Sequence, residues 1–180
     1  ILARYSGQAA QTLRFAKNSY GKPQLLSAPG AAELQFNLSH SHELALYAVG
    51  LKHAVGVDVE ALRAEFAGLE LARHTFAPAE IAALTVVPAS QQTQTFFNCW
   101  TRKEAYIKAV GQGLGIDLTS FVVSLSPAEP ARLCSINQDV AAAAGWTMHA
   151  LEVQPGYAAA VVVAAPHIPW VQWDWQALPR

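Results

Sequence analysis

Apolar and polar positions in the first third of the chain alternate with the period of two that is typical of β-strands. Short strands are predicted at 13–15, 34–37, 44–49 and 55–60. Residues Asn18 to Pro23 and Ser27 to Gly30 are turn formers and separate these strands. The polar run Ser39 to His42 falls between two predicted strands, so we expect it to form a turn or a strand-end loop.

The middle of the chain changes to a helical period. Apolar residues recur at three and four positions over 61–71, 78–87 and 91–110, which predicts three helices. Gly111 follows the third helix, where glycine commonly ends one. Strands return at 121–125, 131–136, 146–153 and 157–165, and Pro155-Gly156 should join the last two as a hairpin. These runs predict an α+β fold.

Composition excludes several classes of protein. The chain has 180 residues, of which 52% are hydrophobic and 14% charged, so a folded core is expected. The net charge of -1 disfavours a nucleic-acid binder. The longest apolar run, 157–165, is too short to span a membrane. Cys99 and Cys134 have no metal-site spacing, so we expect two reduced, buried thiols in a cytoplasmic protein.

Two acidic residues share one face of a predicted strand. Asp58 and Glu60 alternate with Val57 and Val59 in the run 55–60, so the valines should face a core. Two neighbouring carboxylates repel each other unless a cation lies between them, and a hard divalent ion such as Mg²⁺ prefers oxygen ligands. The alternative is a strand that ends in solvent with both acids hydrated. For this short pattern alone, that alternative is favoured.

A second concentration of charge lies on the long predicted helix. Glu104 and Lys108 are four positions apart and share a face, and Arg102 and Lys103 lie beside them. The simple interpretation is a surface ion pair of about 0.3–0.5 kcal/mol. The functional interpretation is a carboxylate for a metal or a proton and an ammonium for a phosphate. We favour the functional one because charged residues are scarce elsewhere in the chain.

Two further segments are weaker signals. Asn37 to Ser41 combines hydroxyls and an imidazole at a strand end, which suits an anion cradle but also an ordinary hydrogen-bonded turn. The run Gly111 to Gly115 follows a helix, whereas a phosphate-binding glycine loop precedes one, so we interpret it as a helix stop.

In order along the chain, four segments resemble the 4'-phosphopantetheinyl transferase superfamily in its Sfp-type branch. They are Tyr20–Pro23, Phe36–Ser41, Val55–Glu60 and Trp100–Leu114. The resemblance implies two similar α/β lobes related by a pseudo-two-fold axis, here an N-terminal lobe at 1–56, a C-terminal lobe at 57–165 and a tail at 166–180. The chain begins at Ile1 without a methionine, and we expect the first lobe to be incomplete at its start.

The resemblance also implies an activity. Members of this family move the 4'-phosphopantetheine group of coenzyme A to a serine of an apo acyl or peptidyl carrier protein, with Mg²⁺, and release adenosine 3',5'-bisphosphate. By similarity, Asp58, Glu60 and Glu104 would hold the metal. Glu104 would also be the base for the attacking serine, and Lys108, with Lys103 beside it, would neutralise phosphate charge.

The nucleotide end of coenzyme A is assigned by the same resemblance. Ser39 and His40 would hold its phosphates. The adenine and ribose would lie against the turn formed by Tyr20, Gly21, Lys22 and Pro23. A monomer is expected, because a cleft between two lobes is made within one chain. The pathway, whether fatty-acid, polyketide or nonribosomal-peptide synthesis, stays open. Exposed apolar residues near Phe66, Phe76 or Leu84 are candidates for carrier recognition.

Two other functions are compatible with the same residues. One is a non-catalytic relative that binds coenzyme A or a carrier protein without reacting. The other is a metal-dependent phosphohydrolase that uses the same acids and needs no carrier. We rank both below the transferase.

Overall fold

The computed structural model describes residues 1–26 and 33–175. Its strands are β1 Phe15–Lys17, β2 Pro23–Leu25, β3 Leu34–Ser41, β4 Leu44–Leu51, β5 Val55–Ala61, β6 Phe121–Val123, β7 Leu133–Ile136, β8 Thr147–Ala150 and β9 Tyr157–Val163. Its α-helices are α1 Leu2–Ser6, α2 Leu69–Thr75, α3 Pro78–Thr85, α4 Ala89–Val110 and α5 Val140–Ala143. The α+β class is confirmed.

All strand pairs in the described residues are antiparallel. Hairpins are formed by β1 with β2, by β3 with β4 and by β6 with β7, while β5, β9 and β8 form a three-stranded sheet in that order. The hairpin predicted at Pro155-Gly156 is confirmed, and Gly156 has the positive φ of 89° that such a turn favours. The main core lies between α4 and this sheet.

The close approach of α4 to β5 depends on Gly56. A Cβ atom at this position would lie 2.1 Å from the carbonyl oxygen of Ala105 and 2.3 Å from the backbone nitrogen of Ala109. Only glycine leaves room for the helix backbone at this distance. As a result, the polar residues that follow Gly56 on the same strand lie directly beside the last two turns of α4.

The sequence pattern predicts a turn or a strand-end loop at 39–42, but most of this polar run belongs to a strand. Strand β3 continues to Ser41, and only His42, with a φ of 48°, begins the turn. The run stays in the strand because its polar side chains find partners on β5. The side chains of Asn37, Ser39 and Ser41 accept hydrogen bonds from alternate backbone N–H groups of β5, those of Val57, Val59 and Ala61. Side chains thus satisfy the free edge of β5.

Other differences from the sequence prediction have local causes. The helix predicted at 61–71 is a 3-10 turn at Ala64–Phe66 followed by α2, because Gly68 is extended and starts α2. Strands predicted at 13–15 and 146–153 are shifted or shortened, and β2 and α5 were not predicted. Phe76 and Leu84 are buried, so both are wrong as exposed recognition residues, whereas Phe66 is half exposed.

The tail lies on the outside of the protein over its described part. Trp170 packs against His149 with ring centres 5.0 Å apart, and the guanidinium of Arg4 lies over Trp175. Residues 176–180 are outside the described part of the chain. Both cysteines are free, although only Cys99 is fully buried. No helix in the described residues has the length and apolar character needed to cross a bilayer.

Candidate active site

The centre of the candidate site is a buried carboxylate on β5. Asp58 is 2% exposed and pairs with Lys108 of α4, with Oδ1 at 2.6 Å from Nζ. The Ser39 hydroxyl donates to the same carboxylate oxygen at 2.8 Å and accepts from Lys108 at 2.9 Å. Three residues from β3, β5 and α4 therefore converge on one point, although 69 positions separate the first from the last.

Two further carboxylates extend this cluster. Ser41 donates a hydrogen bond to Glu60 Oε2 at 3.0 Å. This contact has the same form as that of Ser39 with Asp58, two positions further along both strands. Burial raises the pKa of Glu104, and the negative charge of Glu60 raises it further, while Lys108 lowers it. The negative charge of Glu60 also contributes to raising the pKa of Asp58. Asp58, Glu60, Glu104 and Lys108 thus interact electrostatically as one group.

The carboxylate of Asp58 has unused capacity for a ligand. Burial raises its pKa to about 6, and the charge and hydrogen bond of Lys108 act in the opposite direction. Its Oδ2 atom is buried and has no hydrogen-bond partner in the described residues. An orphaned carboxylate oxygen beside two other acids is a donor set that suits a hard cation such as Mg²⁺. In the present side-chain positions, however, no three acidic, histidine or cysteine groups of residues 1–26 and 33–175 are close enough to enclose a metal.

The turn between β1 and β2 lies against the end of α4. Lys22 donates to the carbonyl oxygens of Val55, Lys108 and Ala109 at 2.6–3.1 Å, and burial lowers its pKa to about 8. An ammonium at a helix C-terminus satisfies the last carbonyls and complements the helix dipole. The three N–H groups of Lys22 are therefore engaged, which leaves its ammonium no donor for a phosphate in this structure.

Lys103 does not belong to the site, and the expectation that it lies beside Lys108 is wrong. It is 1% exposed and pairs with Glu80 of α3 at 2.8 Å. It also donates to the carbonyl oxygens of Leu118 and Phe121. Five positions along a helix correspond to one full turn plus a rotation of about 140°. Lys103 and Lys108 therefore face different neighbours. Lys103 is a core residue that ties α4 to α3 and to the start of β6.

The remaining predicted residues are close to the cluster but not all in contact with it. His40 is exposed and, by strand alternation, lies on the face of β3 opposite Ser39. Ser39 is 7% exposed as a residue, and its hydroxyl already has three hydrogen-bond partners. Tyr20 is 60% exposed on the turn that also holds Gly21 and Pro23. This turn is joined to the cluster through Lys22 and the backbone of Lys108.

Sequence reasoning missed the roles of Asn37 and Ser41. Both lie in the segment from Asn37 to Ser41, in which the family resemblance assigns a role only to Ser39 and His40. The spacing of Asn37, Ser39 and Ser41 at every second position was the available signal, because it predicts one polar face on a strand. What could not be inferred from spacing was that this face would meet the edge of β5.

A model of one protein family matches most of this region. The family is the 4'-phosphopantetheinyl transferase superfamily, and the match covers residues 54–162. The chain belongs to this superfamily. The matched residues of the phosphopantetheinyl transferase model include Asp58, Glu60, Glu104 and Lys108, whereas Ser39 and the β1–β2 turn precede the match.

Individual relatives extend the similarity to the first part of the chain. The chain is 38% identical over 164 residues to the 4'-phosphopantetheinyl transferase HetI of Nostoc sp.. This alignment covers 91% of this chain and 66% of HetI. It is 32% identical over 169 residues to the 4'-phosphopantetheinyl transferase Sfp of Bacillus subtilis, covering 94% of this chain and 71% of Sfp. These relatives place the chain in the Sfp-type branch.

The chain is shorter than these relatives. It spans about two thirds of HetI and Sfp, and 44% of a third relative, the 4'-phosphopantetheinyl transferase gsp of Aneurinibacillus migulanus, to which it is 36% identical. Among solved structures, a holo-(acyl-carrier-protein) synthase from Bacillus anthracis in complex with CoA (3',5'-ADP) is similar, with a TM-score of 0.49 and 22% identity. That similarity covers 63% of this chain and 96% of the synthase.

Proposed function

We propose that this protein transfers the 4'-phosphopantetheine group of coenzyme A to a serine of an apo acyl or peptidyl carrier protein. The observation that carries the proposal is the coupled group of Asp58, Glu60, Glu104 and Lys108, held between β5 and α4 in a member of the superfamily. Three acids and one lysine on two facing elements suit a reaction in which negative charge builds on phosphate oxygens.

Each residue has a definite part in this proposal. The serine hydroxyl of the carrier attacks the β-phosphorus of coenzyme A, forming a new O–P bond, and its proton passes to Glu104. The bond from the β-phosphorus to the bridging oxygen breaks, and adenosine 3',5'-bisphosphate leaves. Without a bound cation, burial raises the pKa of Glu104. Lys108 stabilises charge on the phosphate oxygens.

We further propose that Asp58, Glu60 and Glu104 hold Mg²⁺. The orphaned Oδ2 of Asp58 and the oxygen-only donor set support this assignment. Bound there, the ion would supply positive charge to the pyrophosphate. Lys108, which is 29% exposed in its side chain, balances the charge of Asp58 until substrate binds, and Ser39 orients both groups.

The direct test is transfer to a carrier. We expect incubation with coenzyme A, Mg²⁺ and an apo carrier protein to add the mass of the pantetheine arm, measured by mass spectrometry of the intact carrier. Glu104→Gln should reduce the rate by about 100-fold or more, since it removes the base. A circular-dichroism melting curve like that of the parent would show that folding is intact.

Three outcomes would contradict the proposal. Coenzyme A binding without transfer to any carrier in a panel from fatty-acid, polyketide and peptide synthesis would favour a non-catalytic relative. Release of product from coenzyme A without a carrier would favour a phosphohydrolase. A near-normal rate for Glu104→Gln would remove Glu104 from its role as base.

Ser41 provides a separate test of the metal assignment. Because its hydroxyl donates to Glu60, Ser41→Ala should leave Glu60 less well positioned and raise the Mg²⁺ concentration needed for half-maximal rate by about tenfold. Saturating Mg²⁺ should restore most of the rate. Titration of activity with Mg²⁺ measures this effect, and an unchanged titration curve would argue against Glu60 as a ligand.

We also propose the two-lobe organisation, with lobes at 1–56 and 57–165 and a pseudo-two-fold axis between them. The hairpin of β3 and β4 packed against β5 supports a first lobe, although β5 itself begins at Val55 and crosses this boundary. A monomer follows from a site made within one chain. Size-exclusion chromatography with light scattering tests it, and a stable dimer would contradict it. A cytoplasmic location stays a prediction.

A further inference from the structure

A cavity lies beside α4, on the side of the helix that faces away from Glu104. Its volume is about 480 Å³, within the range of small-molecule sites. Its walls come from positions 94–102 of α4, the loop at 127–131 and the hairpin of β8 and β9. Arg102 lines it, and two helix positions separate Arg102 from Glu104, a rotation of about 200°. The cavity and the acidic cluster therefore occupy opposite sides of the same helix.

Arg102 is a buried charge with no carboxylate within ion-pair distance in the described residues, although the charge of Glu129 acts on it from farther away. Its residue is 3% exposed, and in the part of the chain that the structure describes the ion pairs within 4 Å are Lys103 with Glu80, Lys108 with Asp58, and Arg132 with Glu129. Burial lowers its pKa, which shows the cost of keeping the guanidinium charged there. A buried charge is strongly destabilising unless it is compensated. An anion in the cavity would compensate it.

Part of the guanidinium of Arg102, which lines this cavity, has no hydrogen-bond partner in the described residues. Nη1 donates to the carbonyl oxygen and the hydroxyl of Ser124, at 2.6 and 3.2 Å, whereas Nε and Nη2 have no hydrogen-bond partner within residues 1–26 and 33–175. The unpartnered atoms that are sealed from solvent there belong to Asp58 and Thr95. Nε and Nη2 of Arg102 are not among these sealed atoms, so both keep a small contact with solvent, and the cavity is the open space that Arg102 lines. The N–H groups of Nε and Nη2 point in parallel, the arrangement that donates one hydrogen bond to each oxygen of a carboxylate.

The rest of the wall selects the character of the ligand. Asn98 and Gln94 supply neutral amides, bonded to each other at 2.9 Å. Glu129 also lines the cavity, but its carboxylate is bonded to Arg132 at 3.1 Å. The hairpin of β8 and β9 contributes apolar side chains, among them Met148 and Ala158, together with His149 and Tyr157. A buried guanidinium in the same cavity as these apolar side chains matches a carboxylate attached to a short hydrocarbon group.

We propose that this cavity binds a small aliphatic carboxylate, with its two oxygens on Nε and Nη2 of Arg102 and its chain against Met148 and Ala158. The inference is independent of the transferase activity, because the acidic cluster contributes no wall of the cavity. Ser124 fixes the orientation of the guanidinium by occupying Nη1, so Nε and Nη2 are organised before a ligand arrives.

The test uses hexanoate as the probe and all 180 residues of the chain. Isothermal titration calorimetry should detect binding of hexanoate and at least about tenfold weaker binding of hexan-1-ol, which lacks the charge. Arg102→Lys keeps the charge but loses the paired donors, and should also weaken hexanoate by at least about tenfold. Glu104→Gln is the matched control on the opposite helix side and should bind hexanoate as the parent does.

A blocking variant covers the possibility that Arg102→Lys does not fold. Ala150 lines the cavity and is exposed, so Ala150→Phe should fill the space without disturbing the core and abolish hexanoate binding. Its melting temperature without ligand should match that of the parent. Equal affinity for hexanoate and hexan-1-ol, absence of hexanoate binding, or undiminished binding by Ala150→Phe would each overturn the proposal.

Discussion

Replacement of Gly56 by alanine is expected to destabilise the protein by at least about 3 kcal/mol, at the upper end of what overpacking costs. The added Cβ would lie 2.1 Å from the Ala105 carbonyl oxygen and 2.3 Å from the Ala109 backbone nitrogen. These atoms belong to hydrogen-bonded helix backbone and cannot move aside as a side chain can. Either α4 shifts away from β5 or the protein unfolds. Urea denaturation followed by circular dichroism measures the loss.

Gly50 is the matched control for this prediction. It also lies in a strand, β4, but a Cβ atom there would meet only the carbonyl oxygen of His53, at 3.7 Å. Gly50→Ala should therefore change the free energy of unfolding by less than about 1 kcal/mol. If both variants were equally stable, the close approach of α4 to β5 would be wrong. The same close approach places Lys108 beside Asp58. Any folded Gly56→Ala protein should therefore lose the proposed transferase activity.

Lys103→Met is expected to cost about 3–5 kcal/mol of folding free energy, because it leaves a buried carboxylate without its cation. Glu80 is fully buried, and burial raises its pKa while Lys103 opposes that rise. Glu80 also accepts hydrogen bonds from the backbone of Ala77 and Val123, so it cannot turn toward water without breaking them. Thermal and urea unfolding of the variant measure the effect.

The exposed pair of Arg132 with Glu129 is the control. Its side chains are 61% and 38% exposed, and Arg132→Met should cost less than about 1 kcal/mol. Kinetics then separate the two roles suggested for Lys103. Well below its melting temperature, Lys103→Met should bind coenzyme A with an unchanged KM, since the ammonium lies in the core. A large rise in KM with normal stability would instead support the phosphate-binding role.

The acidic cluster shows how far local patterns reach. The alternation of Val57 and Val59 with Asp58 and Glu60 was enough to predict that the valines are buried, which is confirmed. The same pattern favoured hydrated acids for this stretch taken alone, whereas Asp58 is 2% exposed. Its burial is caused by Lys108 and Ser39, which approach from distant parts of the chain. No local pattern contains that information.

The helix α4 illustrates the same limit. Its period and its end at Gly111 could be predicted from residues within a few positions of each other. The period also places Lys103, Glu104 and Lys108 at known angles around the axis. It does not say which angle faces the core, because that depends on Glu80 and on the start of β6. The assignment of Lys103 to the site was wrong for this reason.

The sequence by itself determined the α+β class, the positions of most strands and helices, and the superfamily. These depend on periodicity, on turn residues and on short motifs, all of which act over a few neighbouring positions. Only the tertiary structure decided which charged residues meet, that Ser41 contacts Glu60, and that Arg102 lines a cavity. The physical reason is that burial and pairing are created by contacts between elements far apart in the chain, and these contacts alone decide whether a charge faces solvent, a partner or a ligand.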